Sequence, residues 1–285
     1  MSKTICILPW IHMYVNADGN VLPCCIGDYK QPLGNTHNRD IKDIWNSHEY
    51  KTLRKQLMNG EKPSICHQCW KHEEAGNNSS RISNNKRFKE EMQLIEATNE
   101  DGSLDEMNLR YFDVRWSNIC NFKCRMCNHT FSSEWYKEQG DIENWPGGSE
   151  SFMKSNPSKV IKVKEGIVEE LKPHLSNVKS WYFAGGEPMI MEEHYLVLKE
   201  LVRLEKFDVK LIYNTNFSMM KYKDLDVLEF WKLFDSVSVG ASLDAAGPRG
   251  ELMRKGTDWD QACRNRERML EICPKVDFYV SPTLS

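Results

Sequence analysis

Short apolar runs alternate with amphipathic stretches over the C-terminal two thirds of the chain. The apolar runs predict five strands, at 109–116, 180–184, 209–214, 236–242 and 276–281. The amphipathic stretches predict helices at 163–173, 192–205, 224–233 and 258–272. Alternation of strands and helices is typical of βα units and a parallel sheet. The pattern therefore predicts an α/β fold for residues 109–285.

Residues 1–76 have a different pattern. The run MYVNADGNVLPCC alternates on both sides of Asp18-Gly19, which predicts a hairpin with Cys24 on its second strand. An amphipathic stretch at 41–59 predicts a helix, with Ser47 able to cap its second half and Gly60 suited to its end. Residues 1–76 are therefore expected to form a small α+β domain.

Residues 77–108 are polar and predict a linker that contains one helix. The expected organisation is thus a domain at 1–76, a linker at 77–108 and a domain at 109–285. Five strands are few for a parallel barrel, so the chain is expected to be part of a longer protein, incomplete after its fifth strand.

Composition excludes several classes of protein. The chain has 285 residues, 40% of them hydrophobic, and its net charge is −3. It has no basic excess of the kind that nucleic-acid binding requires, and no apolar run long enough for a membrane span. No signal-peptide pattern follows the N-terminus, so a cytoplasmic location is expected.

The chain contains ten cysteines, and eight of them fall within the first 127 residues. Without an export signal, clustered cysteines indicate metal binding or redox chemistry rather than disulfides. Three of them form the loop CNFKCRMC, with Cys120, Cys124 and Cys127. A structural metal site usually closes with four protein ligands, so this loop belongs either to a closed site with a distant fourth ligand or to a site with an open position.

Each predicted strand ends in small or polar residues. Strand one is followed by the cysteine loop, strand two by GGEP, strand three by NTN, strand four by SLD and strand five by SPT. In parallel α/β folds the carboxyl ends of the strands form the active site. The five ends together predict one site.

These motifs resemble the radical S-adenosylmethionine (radical SAM) superfamily. The resemblance rests on the spacing of Cys120, Cys124 and Cys127 and on GGEP after the next strand, and it covers residues 109–285. It implies a partial (β/α)6 barrel similar to a TIM barrel, with a sixth strand expected beyond residue 285. Met126 departs from the family, in which the residue before the third cysteine is often aromatic.

The resemblance implies a role for each matching residue. Cys120, Cys124 and Cys127 would bind a 4Fe–4S cluster whose fourth iron binds S-adenosylmethionine. The residues implied to contact S-adenosylmethionine are Gly185, Gly186, Glu187, Pro188, Asn214, Asn216, Ser242, Asp244 and Arg254. Gly185, Gly186 and Glu187 would face its ammonium group, and Ser242 and Asp244 its ribose. Asn214 and Asn216 would line the pocket floor, and Arg254 is a candidate partner for its carboxylate.

The implied reaction is reductive cleavage of S-adenosylmethionine to a 5′-deoxyadenosyl radical, which abstracts hydrogen from a peptide, protein or small-molecule substrate. The electrons would come from an external donor such as a flavodoxin, a ferredoxin or another reductase. The protein itself would position these groups and exclude water.

The N-terminal cysteines resemble those of the twitch domain, the shorter relative of the SPASM domain of radical SAM maturases. Cys6, Cys24, Cys66 and Cys69 would bind an auxiliary 4Fe–4S cluster, with Cys25 as an alternative to Cys24. In better-known members this domain follows the barrel, whereas here it precedes it.

Other interpretations remain open. Four cysteines that end in CxxC also describe a zinc ribbon, so the N-terminal site could hold zinc. Cys263 and Cys273 lie on the apolar face of the 258–272 pattern and are expected to pack in the core. The rival functions are a zinc-stabilised interaction protein and an electron carrier with two clusters and a degenerate barrel.

Overall fold

The computed structural model describes residues 2–283 of the chain. The strands in this range are β1 (His12–Val15), β2 (Asn20–Leu22), β3 (Gly34–Asn35), β4 (Tyr111–Val114), β5 (Lys123–Cys124), β6 (Ser180–Phe183), β7 (Lys210–Thr215), β8 (Lys221–Tyr222), β9 (Leu225–Asp226), β10 (Val237–Ala241), β11 (Arg254–Lys255) and β12 (Asp277–Val280).

The α-helices in this range are α1 (Leu8–Ile11), α2 (Ile41–Trp45), α3 (His48–Met58), α4 (His67–Glu74), α5 (Ser80–Arg87), α6 (Gln139–Ile142), α7 (Gly148–Ser155), α8 (Ile167–Leu171), α9 (Glu192–Arg203), α10 (Val227–Trp231), α11 (Gly247–Met253) and α12 (Trp259–Ile272). Short 3-10 helices span Ser64–Cys66, Lys89–Ala97, Ser133–Trp135, Lys172–Asn177 and Pro188–Ile190. No helix in the described part of the chain combines the length and apolar character needed to traverse a lipid bilayer.

The chain divides into two compact units. The first unit contains the residues up to Val114 together with Lys164–Val178, and the second contains Arg115–Val163 together with the chain from Lys179 onward. The boundaries predicted at 76 and 108 stay predictions. The expected end of the second domain and the expected sixth strand lie outside the described residues.

The first unit contains a small mixed sheet. Strand β1 pairs with β2 antiparallel and with β4 in parallel, and β3 pairs with β2. Gly19 forms the predicted hairpin turn with a φ of 82°, a value that glycine adopts without strain. Cys24 was predicted on the second strand of this hairpin, but β2 ends at Leu22 because Pro23 has no N–H to continue the ladder.

The helix predicted over 41–59 is two helices. The break comes at Asn46 and Ser47, where Ser47 takes an extended conformation and its hydroxyl accepts a hydrogen bond from the Tyr50 amide. Asn46 at the break donates to the Leu104 carbonyl and accepts from the Leu104 amide. The predicted cap at Ser47 is thus confirmed, although it begins a new helix instead of continuing the first.

The second unit contains a parallel sheet in the order β12-β10-β7-β6. Each of these strands overlaps a run predicted from the apolar pattern, with β7 extending one residue beyond its run, and the α/β class is confirmed. The long helices α9 and α12 also lie where they were predicted. The helix predicted at 224–233 is shorter, because residues 221–226 form the hairpin β8–β9 and Asp226 then caps α10.

Candidate functional site

The three cysteines of CNFKCRMC lie on a loop that is held at several points. Cys124 lies on β5, which pairs antiparallel with β11 and places Cys124 opposite Arg254. The Cys120 sulfur accepts a hydrogen bond from the Phe122 amide at 3.4 Å, and the Cys127 amide donates to the Cys124 carbonyl at 3.0 Å. The Trp135 indole also donates to the Cys124 carbonyl, at 3.0 Å. The loop is therefore anchored by backbone carbonyls and amides and by the hydrogen bond to the Cys120 sulfur.

Burial raises the pKa of all three thiols. The pKa of Cys120 rises to about 12 and that of Cys127 to about 11, and beyond burial the charge of a neighbouring thiolate, Cys124 in both cases, adds to the rise. Burial also raises the pKa of Cys124, while the charge and hydrogen bond of the Arg254 guanidinium act to lower it. Metal ligation requires thiolates, so binding a cluster here must displace protons.

The GGEP segment passes close to the cysteine loop. Gly185 and Gly186 have φ angles of 83° and 51°, a region that other residues rarely adopt. A Cβ on Gly186 would lie 2.2 Å from the Ile119 carbonyl oxygen, and one on Gly185 would lie 2.7 Å from the Arg115 side chain. Both glycines are therefore required by backbone geometry, and Pro188 follows as the first residue of a 3-10 helix.

Glu187 of this motif is buried beneath the loop. Its two carboxylate oxygens accept hydrogen bonds from the Thr215 hydroxyl at 2.7 Å, the Asn216 amide at 2.7 Å and the Met189 amide at 3.1 Å. Burial raises the pKa of Glu187 to about 7, although these hydrogen bonds act to lower it. Thr215 was missed by sequence reasoning, although it stands between Asn214 and Asn216.

A group of polar side chains connects Asn216 to the first cysteine. The Asn216 side-chain nitrogen donates to Asn121 at 2.8 Å and lies 4.0 Å from the Cys120 sulfur. Its oxygen accepts from the Ser218 hydroxyl at 2.6 Å, and Asn121 donates to that hydroxyl at 2.9 Å. Asn121 and Ser218 were also missed, because nothing in the sequence separates them from ordinary loop residues.

Asn214 and Ser242 lie at neighbouring strand ends of the same sheet. Asn214 pairs with Gly240 across β7 and β10, and a Cβ on Gly240 would lie 2.8 Å from the Asn214 side-chain oxygen. The Ser242 amide donates to the Thr215 carbonyl at 2.8 Å. The ends of β7 and β10 therefore bring the predicted polar residues to one edge, as the parallel sheet requires.

Asp244 and Arg254 were assigned to different groups of S-adenosylmethionine, and the structure pairs them with each other. Arg254 donates from Nε at 2.7 Å and from Nη2 at 2.9 Å to the two Asp244 oxygens. Burial acts to raise the pKa of Asp244, but the hydrogen bonds from Arg254 and the Thr283 amide hold it below its usual value. Arg254 Nη1 lies 3.9 Å from the Cys124 sulfur.

The four N-terminal cysteines line one pocket in the first unit. The lining residues are Cys6, Leu8, Pro9, Pro23, Cys24, Ile26, Cys66, Cys69, Ser80 and Arg81. Cys25 is exposed and is not among these described residues. Burial raises the pKa of Cys6 to about 12, and Cys6 interacts electrostatically with each of the other three thiols. Cys24 is thus better placed than Cys25 as the fourth thiol.

Both sets of thiols fit an iron–sulfur cluster by their chemistry. A 4Fe–4S cluster takes one thiolate on each iron, so its ligands surround a volume and do not converge on one ion. Within residues 2–283, no three His, Cys, Asp or Glu side chains converge closely enough to ligate a single metal ion. The loop carries three cysteines and the pocket of the first unit is lined by four, the numbers that an open and a closed cluster would each require.

Two family models match the chain. The model of the radical SAM superfamily matches residues 114–282, and the model of the SPASM iron–sulfur cluster-binding domain matches residues 6–70. The radical SAM domain implies S-adenosylmethionine and a 4Fe–4S cluster as cofactors, and the SPASM domain implies an auxiliary iron–sulfur cluster. A search of curated proteins finds no match.

Solved structures of similar proteins also match. Native anSMEcpe with bound AdoMet is 18% identical with a TM-score of 0.37, and the match covers 58% of this chain and 41% of that chain. Streptococcus suis SuiB bound to precursor peptide SuiA is 13% identical with a TM-score of 0.38, and the match covers 97% of this chain and 57% of that one. The chain thus spans between two fifths and three fifths of the length of these proteins.

Proposed function

Because the chain belongs to the radical SAM superfamily, we propose that it is a radical SAM oxidoreductase or maturase that abstracts hydrogen from its substrate. The chemistry supplied by the bound cluster and S-adenosylmethionine is reductive cleavage to a 5′-deoxyadenosyl radical. The observation that carries this proposal is the arrangement of Cys120, Cys124 and Cys127 on one anchored loop beside Glu187 and Arg254.

Glu187 would bind the ammonium group of S-adenosylmethionine. Its carboxylate is buried and accepts hydrogen bonds from the neutral Thr215 hydroxyl and Asn216 amide, and burial raises its pKa to about 7. A cation beside it would stabilise the charged form and return the pKa toward its ordinary value. The same buried carboxylate would therefore distinguish a cationic ligand from a neutral one.

Asp244 and Arg254 would act together at the other end of the ligand. A carboxylate held by two guanidinium hydrogen bonds has a fixed orientation, so Asp244 can accept from ribose hydroxyls without rearranging. Ser242 and Asn214 lie at the neighbouring strand ends and would complete this part of the pocket. Gly185, Gly186 and Pro188 would shape its wall through the backbone.

The four thiols of the first unit would hold an auxiliary 4Fe–4S cluster with no open iron. Such a cluster has no position for a substrate, so we assign it electron transfer, for instance accepting an electron from a substrate radical. The substrate would be a peptide, a protein or a small molecule. The electrons for cleavage would come from a flavodoxin, a ferredoxin or another reductase.

Anaerobic reconstitution tests this proposal against its two rivals. The proposal predicts about eight irons per chain, from two four-iron clusters. It also predicts that the double variant Cys66→Ala/Cys69→Ala keeps about half the iron and still cleaves S-adenosylmethionine, while coupled product formation stops. Stoichiometric zinc without iron would instead identify a zinc-stabilised interaction protein. Iron without any cleavage would identify an electron carrier.

A further inference from the structure

The pocket of the four thiols has one charged residue among its described lining residues, and that residue is Arg81. Arg81 lies on α5, outside the region 6–70 that the SPASM family model matches. Its side chain is 11% exposed, so the guanidinium is largely removed from water. A buried cation beside four thiols is a feature that the cysteine pattern alone does not contain.

Arg81 binds two of the three segments that carry these thiols. Its Nη1 donates to the Ile5 carbonyl at 2.8 Å and to the Lys3 carbonyl at 3.2 Å, immediately before Cys6. Its Nε and Nη2 donate to the two Glu73 oxygens at 2.9 and 2.7 Å. Glu73 lies on α4, one turn after Cys69 on the same helix. One guanidinium therefore connects the Cys6 segment to the Cys69 helix.

The next turn of α5 reinforces this connection. Asn85 donates to the Ile5 carbonyl at 2.8 Å and accepts from the Ile7 amide at 2.9 Å. The residues on both sides of Cys6 are thus hydrogen-bonded to side chains of α5. Arg81 also lies over the Trp70 ring, 5.3 Å from its centre, which fixes the guanidinium plane against α4.

The charges of Arg81 and Glu73 act on the thiols in opposite directions. Arg81 lines the pocket of the four thiols, and Glu73 binds the Arg81 guanidinium from the helix that carries Cys69, so a positive and a negative charge lie close to the thiols. A positive charge stabilises an additional electron on a nearby cluster, and a negative charge destabilises it. The ion pair therefore places beside one pocket two charges that have opposite effects on the reduction potential of a bound cluster.

We propose that Arg81 is a positioning residue of the auxiliary site, which holds the Cys6 segment against the Cys69 helix and, together with Glu73, sets the reduction potential of the bound cluster. This inference rests on the proposed function, in which the four thiols hold a 4Fe–4S cluster. It assigns α5 to the auxiliary site, so the working unit of that site extends beyond the matched SPASM region.

The test isolates the auxiliary cluster in the 285-residue chain. In a background of Cys120→Ala, Cys124→Ala and Cys127→Ala, the remaining cluster is titrated with reductant and followed by electron paramagnetic resonance. Arg81→Gln should lower the midpoint potential, because it removes the cation and leaves the Glu73 carboxylate. Glu73→Gln should raise it, because it removes the anion and leaves the guanidinium. The midpoint potential of Arg81→Lys should stay closer to that of the parent. Lys86→Gln, an exposed change on the same helix, should have the same midpoint potential as the parent.

Shifts in opposite directions for Arg81→Gln and Glu73→Gln would support the inference, since a purely structural role would not reverse sign. If Arg81→Gln fails to retain iron, Glu73→Gln and Arg81→Lys still decide the question through their potentials. If the variants bind the cluster and its midpoint potential is the same in all of them, the inference is overturned and the proposed function still stands. A parent background that binds no iron–sulfur cluster would overturn the proposed auxiliary site itself.

Discussion

Arg254 binds Asp244 through two hydrogen bonds, of 2.7 and 2.9 Å, while its third nitrogen lies 3.9 Å from the Cys124 sulfur. The pair is held in place by the ladder between β5 and β11, in which Arg254 lies opposite Cys124. One side chain thus connects the cysteine loop to the end of the fourth predicted strand. This contact makes Arg254 a residue whose loss should affect folding and ligand binding together.

Replacing Arg254 by Gln should lower the free energy of unfolding by about 3–5 kcal/mol, because it leaves the Asp244 carboxylate buried without its charged partner. The Asp244 side chain is 5% exposed beside Arg254, so its charge depends mainly on the guanidinium for compensation. Urea unfolding of the apo-protein measures the change. Lys255→Gln is the matched control, since Lys255 is the next residue of the same strand and is exposed. Equal stability of the two variants would contradict the assigned role.

Replacing Gly186 by Ala should destabilise the protein more than replacing Gly247 by Ala. Both glycines have similar φ angles, 51° and 57°, so both changes incur a left-handed penalty of about 1–2 kcal/mol. At Gly247 nothing lies within 4 Å of the added Cβ, whereas at Gly186 the Ile119 carbonyl oxygen lies 2.2 Å away. Comparing the unfolding free energies of the two variants isolates the cost of this backbone collision. The same cost for both would show that GGEP is not packed against the loop.

The stability of the apo-protein should depend on pH through Glu187. The pKa of this carboxyl rises from 4.5 to about 7 in the folded protein, so the folded state binds its proton more tightly than the unfolded state. The free energy of unfolding should therefore fall as the pH rises from about 4.5 to about 7, by about 3 kcal/mol in all, and then level off.

Glu187→Gln should lack this part of the pH dependence, and the difference between the two unfolding profiles measures it. If the free energy of unfolding depended on pH in the same way for the wild type and the variant across this range, ionisation of Glu187 would not lower the stability of the folded protein. Saturating S-adenosylmethionine should also flatten the wild-type profile, because its ammonium group would stabilise the charged carboxylate.

The parallel strands and their polar ends could be predicted because a strand buried on both faces is continuously apolar and its end returns to water. For that reason the sequence allows several site residues to be recognised at the strand ends, namely Glu187, Asn216 and the three cysteines. Thr215 was missed because threonine is also common inside strands, and its bond to Glu187 depends on the neighbouring strand. Such contacts depend on how neighbouring strands are aligned in the sheet, and a single sequence does not show that alignment.

The partners of charged residues were harder to predict. Arg254 was expected to face a ligand carboxylate, and its carboxylate in the structure comes from Asp244, ten residues earlier in the chain. The parallel pairing of β1 with β4 was also not predicted, because it joins strands almost a hundred residues apart. Arg81 could not be recognised either, since one arginine in a polar segment carries no pattern of its own.

The central claim is that Cys120, Cys124 and Cys127 form the site at which S-adenosylmethionine is cleaved. The most direct measurement is the release of 5′-deoxyadenosine by the anaerobically reconstituted chain in the presence of a strong reductant. We expect release by the wild type and by Cys263→Ala, and none by Cys124→Ala, although both variants remain folded. Release that persists in Cys124→Ala, or that is lost equally in Cys263→Ala, would contradict it.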